Sequence, residues 1–285
     1  MMKLEVARCI DEYLSIIERV KASMGLAWFR GQSKASYALI PSLFREDMKI
    51  RGGRSVEEIV KAKFIMQDDF AALQSFKKHF PSIHPYDGFK DIDYLYMMQH
   101  YEVPTRLLDF STDELVALYF AVSGSDSKKT NVEAEIEDFN EMQGESELGA
   151  AVYCIDPIKT NDQTSLLGEK PIELSAYSFK SLRNIDLPVC IETSNPDKRI
   201  IAQKGVFVFF GSFVNSYDYY TVLNKMSVKI FIPNSCKKQI FLELREVCNK
   251  SHFSIYPDIK GLALDIRDEM RERYDKDCED VNSAL

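Results

Sequence analysis

Three short apolar runs constrain the fold of this 285-residue chain more than any other feature: GAAVYCID (Gly149–Asp156), VFVFF (Val206–Phe210) and SVKIFIP (Ser227–Pro233). Each has the length of a strand, is rich in β-branched and aromatic residues, and is nearly free of polar positions, so each reads as a buried strand. Helical periods surround them. Val6, Ile10, Leu14, Ile17 and Val20 recur at helical spacing from about Leu4 to Lys21. Ser55 with Glu58 resembles a capping box opening a helix that runs to about Lys78 and ends at Pro81 and Pro85. DIDYLYMMQHY reads as a further helix, and Ser111 with Glu114 resembles a second capping box in front of STDELVALYFAV. SCKKQIFLELREVCNK and DIKGLALDIRDEMRERYDK read as helices near the end. Helices first and strands interspersed later predict an α+β fold, one domain with a mixed or antiparallel sheet flanked by helices, in which the first strand joins the last ones.

Composition narrows what such a domain can do. A hydrophobic content of 45% supplies one large core or two modest ones. No apolar run approaches the roughly 20 residues of a membrane-spanning helix, and MMKLEVARCIDEYLSIIERVKA lacks the apolar centre of a signal peptide, so the expected location is the cytoplasm, with no membrane partner. Six cysteines without CxxC spacing fit reduced thiols, and no metal is expected. The net charge of -8 argues against broad, sequence-independent nucleic-acid binding. Between Ser125 and Glu147 eight acids stand against two bases, so most of the excess lies in one segment. Residues 124–148 therefore read as an acidic, mobile insertion. The chain divides into an N-terminal helix (1–24) packed on a domain (25–267), followed by a helical tail (268–285).

Polar clusters interrupt otherwise apolar elements. In LAWFRGQ the period shortens to that of a strand, with Leu26, Trp28, Arg30 and Gln32 on one face and Ala27, Phe29 and Gly31 on the other. Arg30 can grip a carboxylate or phosphate through two parallel hydrogen bonds, and Gly31 lets a ligand or a neighbouring backbone approach closely. QHYEVPTRLLD gathers Gln99, His100, Glu102, Thr105, Arg106 and Asp109 around Pro104, just before a helix whose free N–H groups suit an anion. In RIIAQKGVFVFF, Gln203 and Gly205 stand at the mouth of an apolar strand. A bland reading has Arg30 or Arg106 paired with Asp109 to tie elements together, and His100 as a satisfied core histidine. Convergence of all three clusters favours a site, because a buried guanidinium left imperfectly paired costs several kcal/mol.

Phe29–Gly31, the PSLFR of Pro41–Arg45, QHYEVPTRLLDFS with ALYFAV after it, RIIAQKGVF and the closing HFSIYPDIKGLALDI together resemble the FRG family, over roughly Leu26 to Ile266. The family often has glycine where this chain has Glu102. The resemblance implies a bacterial, phage-associated setting and no settled reaction. An arginine ending an early strand, a central polar motif and a late Gln or Glu leading a strand are in turn similar to the layout of ADP-ribosyltransferases. That likeness implies NAD as substrate. Arg30, with Gly31, Gln32 and Thr105, would hold the pyrophosphate; Gln203 would contact the ribose; and His100, Arg106 and Asp109 would line the cleft, with a protein or nucleic-acid acceptor or with water. Glutamine supplies no negative charge to an oxocarbenium-like centre, so either Glu192 supplies it or the chemistry differs. Two rivals stand beside this expectation: a nuclease-type toxin using His100, Glu102 and Asp109, and a non-catalytic module sensing a nucleotide or a protein.

Overall fold

The computed structural model describes residues 2–45, 56–83, 88–124, 131–163, 171–173, 178, 181, 188–193, 197–211, 223 and 226–284. Among them the strands are β1 (Lys3–Val6), β2 (Trp28–Gln32), β3 (Leu107–Ser111), β4 (Gly149–Ile155), β5 (Ile172–Glu173), β6 (Val189–Glu192), β7 (Gly205–Phe209) and β8 (Val228–Pro233). They form one eight-stranded mixed sheet in the order β1-β8-β4-β2-β3-β7-β6-β5. β1 lies parallel to β8 and β5 parallel to β6, and the other neighbours are antiparallel. The helices are α1 (Ile10–Met24), α2 (Val56–Ile83), α3 (Asp91–His100), α4 (Glu114–Val122), α5 (Val132–Glu141), α6 (Pro157–Asp162), α7 (Lys198–Ala202), α8 (Asn234–Glu246), α9 (His252–Ile255) and α10 (Ile259–Ala284). The fold is α+β.

The three apolar runs are β4, β7 and β8, and apart from Lys229 of β8 each is apolar because both faces of the sheet are covered. Along β4 the alternation separates two cores. Ala150, Val152 and Cys154 pack with Phe29 against α1, α4 and α8, whereas Ala151, Tyr153 and Ile155 pack with Trp28 and Phe231 on the opposite face. A third core joins Phe207 and Phe209 of β7 and Leu107 of β3 to Leu73 of α2 and Ile92, Leu95 and Met98 of α3. Cys9, Cys154, Cys190, Cys236 and Cys248 are free thiols. Among the described residues no helix is long and apolar enough to cross a membrane.

Four sequence readings change. The chain begins with a strand on β8, and the helix expected from Leu4 starts only at Ile10. α2 continues past Pro81 to Ile83; Ser55 and Pro85 lie outside the described residues. Asp113, not Ser111, caps α4, its carboxylate accepting from the N–H groups of Leu115 and Val116; Ser111 Oγ accepts from the Asp113 N–H instead. The acidic segment is also not a solvated insertion throughout, since residues 132–141 form α5. Phe139 of α5 is fully buried and stacks on Phe231, ring centroids 4.3 Å apart. Glu135, also fully buried, accepts from Ser235 Oγ at 2.7 Å and from the Ser235 N–H, setting a carboxylate at the N-terminus of α8. One aromatic and one well-placed acid outweigh the segment's charge. Residues 125–130 lie outside the described residues.

Candidate functional site

The sheet opens where the arginine stands. β2 and β4 share five register pairs, but β2 and β3 share only Phe29–Ser111. Beyond that pair Arg30 Nη1 donates to the Asp109 carbonyl at 2.6 Å, the kind of acceptor a continued ladder would have satisfied from the backbone. The Asp109 carboxylate stands 3.7 Å from the same nitrogen. The Arg30 side chain is 12% exposed, and among the described residues nothing accepts a hydrogen bond from its Nε. Burial pushes its pKa down to about 10; Asp109 partly offsets this, and the nearby Arg45 charge of PSLFR lowers it further. Arg30 is thus a desolvated cation with one donor unmet.

A pocket of about 210 Å³ lies at this opening. Its sheet-side wall is one face of three strands, Phe29 and Gly31 of β2, Asp109 and Ser111 of β3, and Gly205 and Phe207 of β7, which the ladders place side by side. Arg30 enters from the gap between β2 and β3. The facing wall comes from helices: Tyr96, Gln99 and His100 at the end of α3, Ala117 and Phe120 of α4, and Arg199, Ile200 and Gln203 at α7.

Of the residues expected to form the site, Arg30, Gly31, His100, Asp109 and Gln203 line this pocket. Gly31 does so for a reason of packing. A Cβ there would come within 1.9 Å of the Ala117 carbonyl oxygen and 2.7 Å of the Ala121 nitrogen, so this glycine admits the α4 backbone and not a ligand. Arg106, Thr105 and Gln32 do not line the pocket. Arg106 is fully buried, its guanidinium bonded to the Asp69 carboxylate and, at 3.1 Å, to the Phe210 carbonyl; it ties β3 to α2. Thr105 acts one step back: its hydroxyl bonds Gln99 Oε1, and Gln99 Nε2 donates to Asp109 Oδ2 at 2.9 Å. Gln32 is buried, its amide 3.5 Å from the Ala38 carbonyl. Glu192 ends β6 exposed and is no lining residue either. Glu102 adopts φ 61°, the left-handed turn for which glycine is suited, and stands outside the pocket, so His100, Glu102 and Asp109 do not converge. Among the described residues no three His, Cys, Asp or Glu side chains cluster as a metal site.

Sequence reasoning passed over two residues here. Arg199 precedes Gln203 by one helical turn, a spacing that puts both on the same side of α7. Its Nη1 donates to the His100 carbonyl at 3.3 Å and its guanidinium lies over the Tyr256 ring at 4.7 Å; among the described residues it pairs with no carboxylate. Asp197 caps α7, Oδ1 accepting from the Ile200 N–H at 2.7 Å, while its Oδ2 stands 2.7 Å from His100 Nδ1. Burial raises the Asp197 pKa, but the contacts with His100 and the Ile200 N–H outweigh it and hold the carboxyl below its ordinary value. An aspartate directly before KRIIA was the available cue for this cap. Gln203 Nε2 donates to the Ile255 carbonyl at 3.2 Å, and its own carbonyl accepts from Ser111 Oγ at 2.7 Å.

Residues 26–130 match the family model of the FRG domain. The match takes in Arg30 and the α3, β3 and α4 parts of the pocket, whereas Arg199, Gln203 and β7 come from the chain beyond it. No curated protein and no solved structure matches the chain.

Proposed function

We propose that this FRG-domain protein binds NAD in the pocket at the β2–β3 opening and cleaves the bond between nicotinamide and ribose, as an ADP-ribosyltransferase or an NAD glycohydrolase. One observation carries the reading: Arg30 is desolvated, and among the described residues its Nε has no acceptor and its one carboxylate contact is a long one. An unmet buried donor costs about 1–3 kcal/mol, and a phosphate oxygen removes that cost through a charge-assisted bond. Arg199 faces the same space without a carboxylate partner among the described residues, and Arg45 adds positive charge nearby. Tyr96, Phe120 and Phe207 offer aromatic surface for a planar base. At about 210 Å³ the pocket falls below the roughly 300–1,000 Å³ that enclose a whole drug-sized ligand, so it takes one end of a dinucleotide and leaves the other outside.

Within this reading Arg30 and Arg199 hold phosphate oxygens and the Gln203 amide bonds ribose hydroxyls. Among the described lining residues Asp109 is the one carboxylate, and it supplies the negative charge toward the oxocarbenium-like centre that Gln203 lacks. As an effector of phage defence in the bacterial cytoplasm, the protein would deplete NAD or modify a macromolecule.

Calorimetry with NAD and a nicotinamide-release assay test the proposal. Arg30→Ala and Arg199→Ala are each expected to weaken NAD binding about 10- to 100-fold, the loss of one charge-assisted contact, with circular dichroism unchanged. A purified protein that neither binds NAD nor releases nicotinamide rejects it. The tie of Asp109 to Gln99 and Arg30 favours a second reading, a sensor in which that carboxylate is held back from chemistry; binding without turnover is its outcome.

A further inference from the structure

The pair His100–Asp197 joins the end of α3 to the cap of α7 and borders the pocket. A link between these two elements already exists, because Arg199 of α7 donates to the His100 carbonyl at 3.3 Å. The imidazole therefore does more than fasten them. Asp197 Oδ2, an acceptor, stands 2.7 Å from the buried Nδ1, a close contact short of hydrogen-bond alignment as it stands; a proton on Nδ1 turned to this carboxylate leaves Nε2 as the basic nitrogen. Among the described residues nothing bonds Nε2, and the side chain keeps 26% of its surface exposed, open to solvent at the pocket. An imidazole held beside a carboxylate, with its second nitrogen free beside a cavity, is the arrangement of a general base.

We infer that His100 is the general base for the acceptor in NAD cleavage, that Asp197 is its positioning residue, and that the acceptor is a hydroxyl, water in the simplest case; this rests on the proposed NAD reading. The leaving group needs no acid, because the electron pair of the broken bond between ribose C1′ and the pyridinium nitrogen neutralises nicotinamide as it departs. The proton to be managed is the acceptor's. Water forms the new bond to C1′, its proton passes to His100 Nε2, and the imidazolium, stabilised by Asp197, returns it to solvent. NAD and water give ADP-ribose, nicotinamide and one proton.

Azide discriminates this role from a structural one, because it attacks as an anion and carries no proton. With the full chain and saturating NAD, His100→Ala is expected to keep NAD affinity within about twofold and to lose nicotinamide release about 10²- to 10⁴-fold, the usual worth of a general base. Azide is expected to restore release in this variant, with glycosyl azide as product, and to add little to the unaltered protein. Asp197→Asn, which keeps an oxygen for the α7 cap, serves if His100→Ala does not fold: a loss of about tenfold or more, again relieved by azide, supports the assignment. Full activity of His100→Ala, or a loss that azide leaves in place, overturns it while the NAD reading stands. An unaltered protein that neither binds nor cleaves NAD removes both, and is recognised without any variant.

Discussion

At the residue scale, the FRG triplet divides its labour among three different neighbours. Phe29 is fully buried in the core beneath α1 and α4, Arg30 fills the gap in the sheet, and Gly31 lets α4 touch the strand. All three line the pocket, but the two outer residues serve the fold and among the described residues only Arg30 brings an unmet donor to it. Gly31→Ala is accordingly expected to destabilise by about 3 kcal/mol, at the upper end of the usual cost of overpacking, since the obstructing atoms are helix backbone and have no rotamer to escape into. Urea denaturation measures this, and a change under about 0.5 kcal/mol contradicts the packing role. Glu102 shows a contrasting economy: its φ of 61° preserves a turn natural to glycine at a cost of about 1–2 kcal/mol, without any part in the pocket.

Short elements position the site. α7 has five residues, yet its cap Asp197, its first turn at Arg199 and its end at Gln203 provide a carboxylate against His100, a cation and an amide. α4 is fixed by Asp113, whose carboxylate caps the helix and pairs with Lys204 at 3.1 Å and Lys250 at 2.9 Å. Burial raises the Asp113 pKa, but those lysines more than offset it and hold it below its ordinary value. α5 is the element whose composition misleads most. Its anchorage through Phe139 predicts that Phe139→Ala costs about 3–5 kcal/mol, the range for emptying a buried phenylalanine, whereas a solvated segment would lose almost nothing. Thermal or urea unfolding monitored by tyrosine and tryptophan fluorescence separates these outcomes.

For the whole molecule, buried charge gives stability a legible pH dependence. Lys229 is 2% exposed, donates to the carbonyls of Ala35 and Gly144 at 2.5 Å each, and lies over the Tyr153 ring. Burial lowers its pKa from 10.5 to about 8. Between these values the unfolded chain holds a proton that the folded chain has released, so this lysine's contribution to stability rises with pH across that window and is at its least favourable below pH 8. The expected gain is roughly 1 kcal/mol per pH unit. Comparing the urea midpoints of the unaltered protein and Lys229→Met at pH 7 and pH 9 measures it; parallel behaviour of the two proteins removes Lys229 as the source.

The apolar runs by themselves determined that β4, β7 and β8 are covered strands and that the fold is α+β, because strand length, β-branched and aromatic content and a near absence of polar groups leave few other ways to bury those backbones. Local spacing likewise marked Arg30, His100, Asp109 and Gln203 as polar residues at the ends of apolar elements. Only the tertiary structure decided which of them meet. Arg106 stands three residues from Asp109, yet alternation and the position of Asp69 on α2 send it into an ion pair away from the pocket. Arg199, from a helix far along the chain, lines the pocket instead, and the Asp197 cap of that helix stands against His100. Sequence patterning reports which surface an element hides; which donor stays unmet depends on the partners that long-range strand order and helix docking deliver, and for Arg30 that order leaves a gap between β2 and β3.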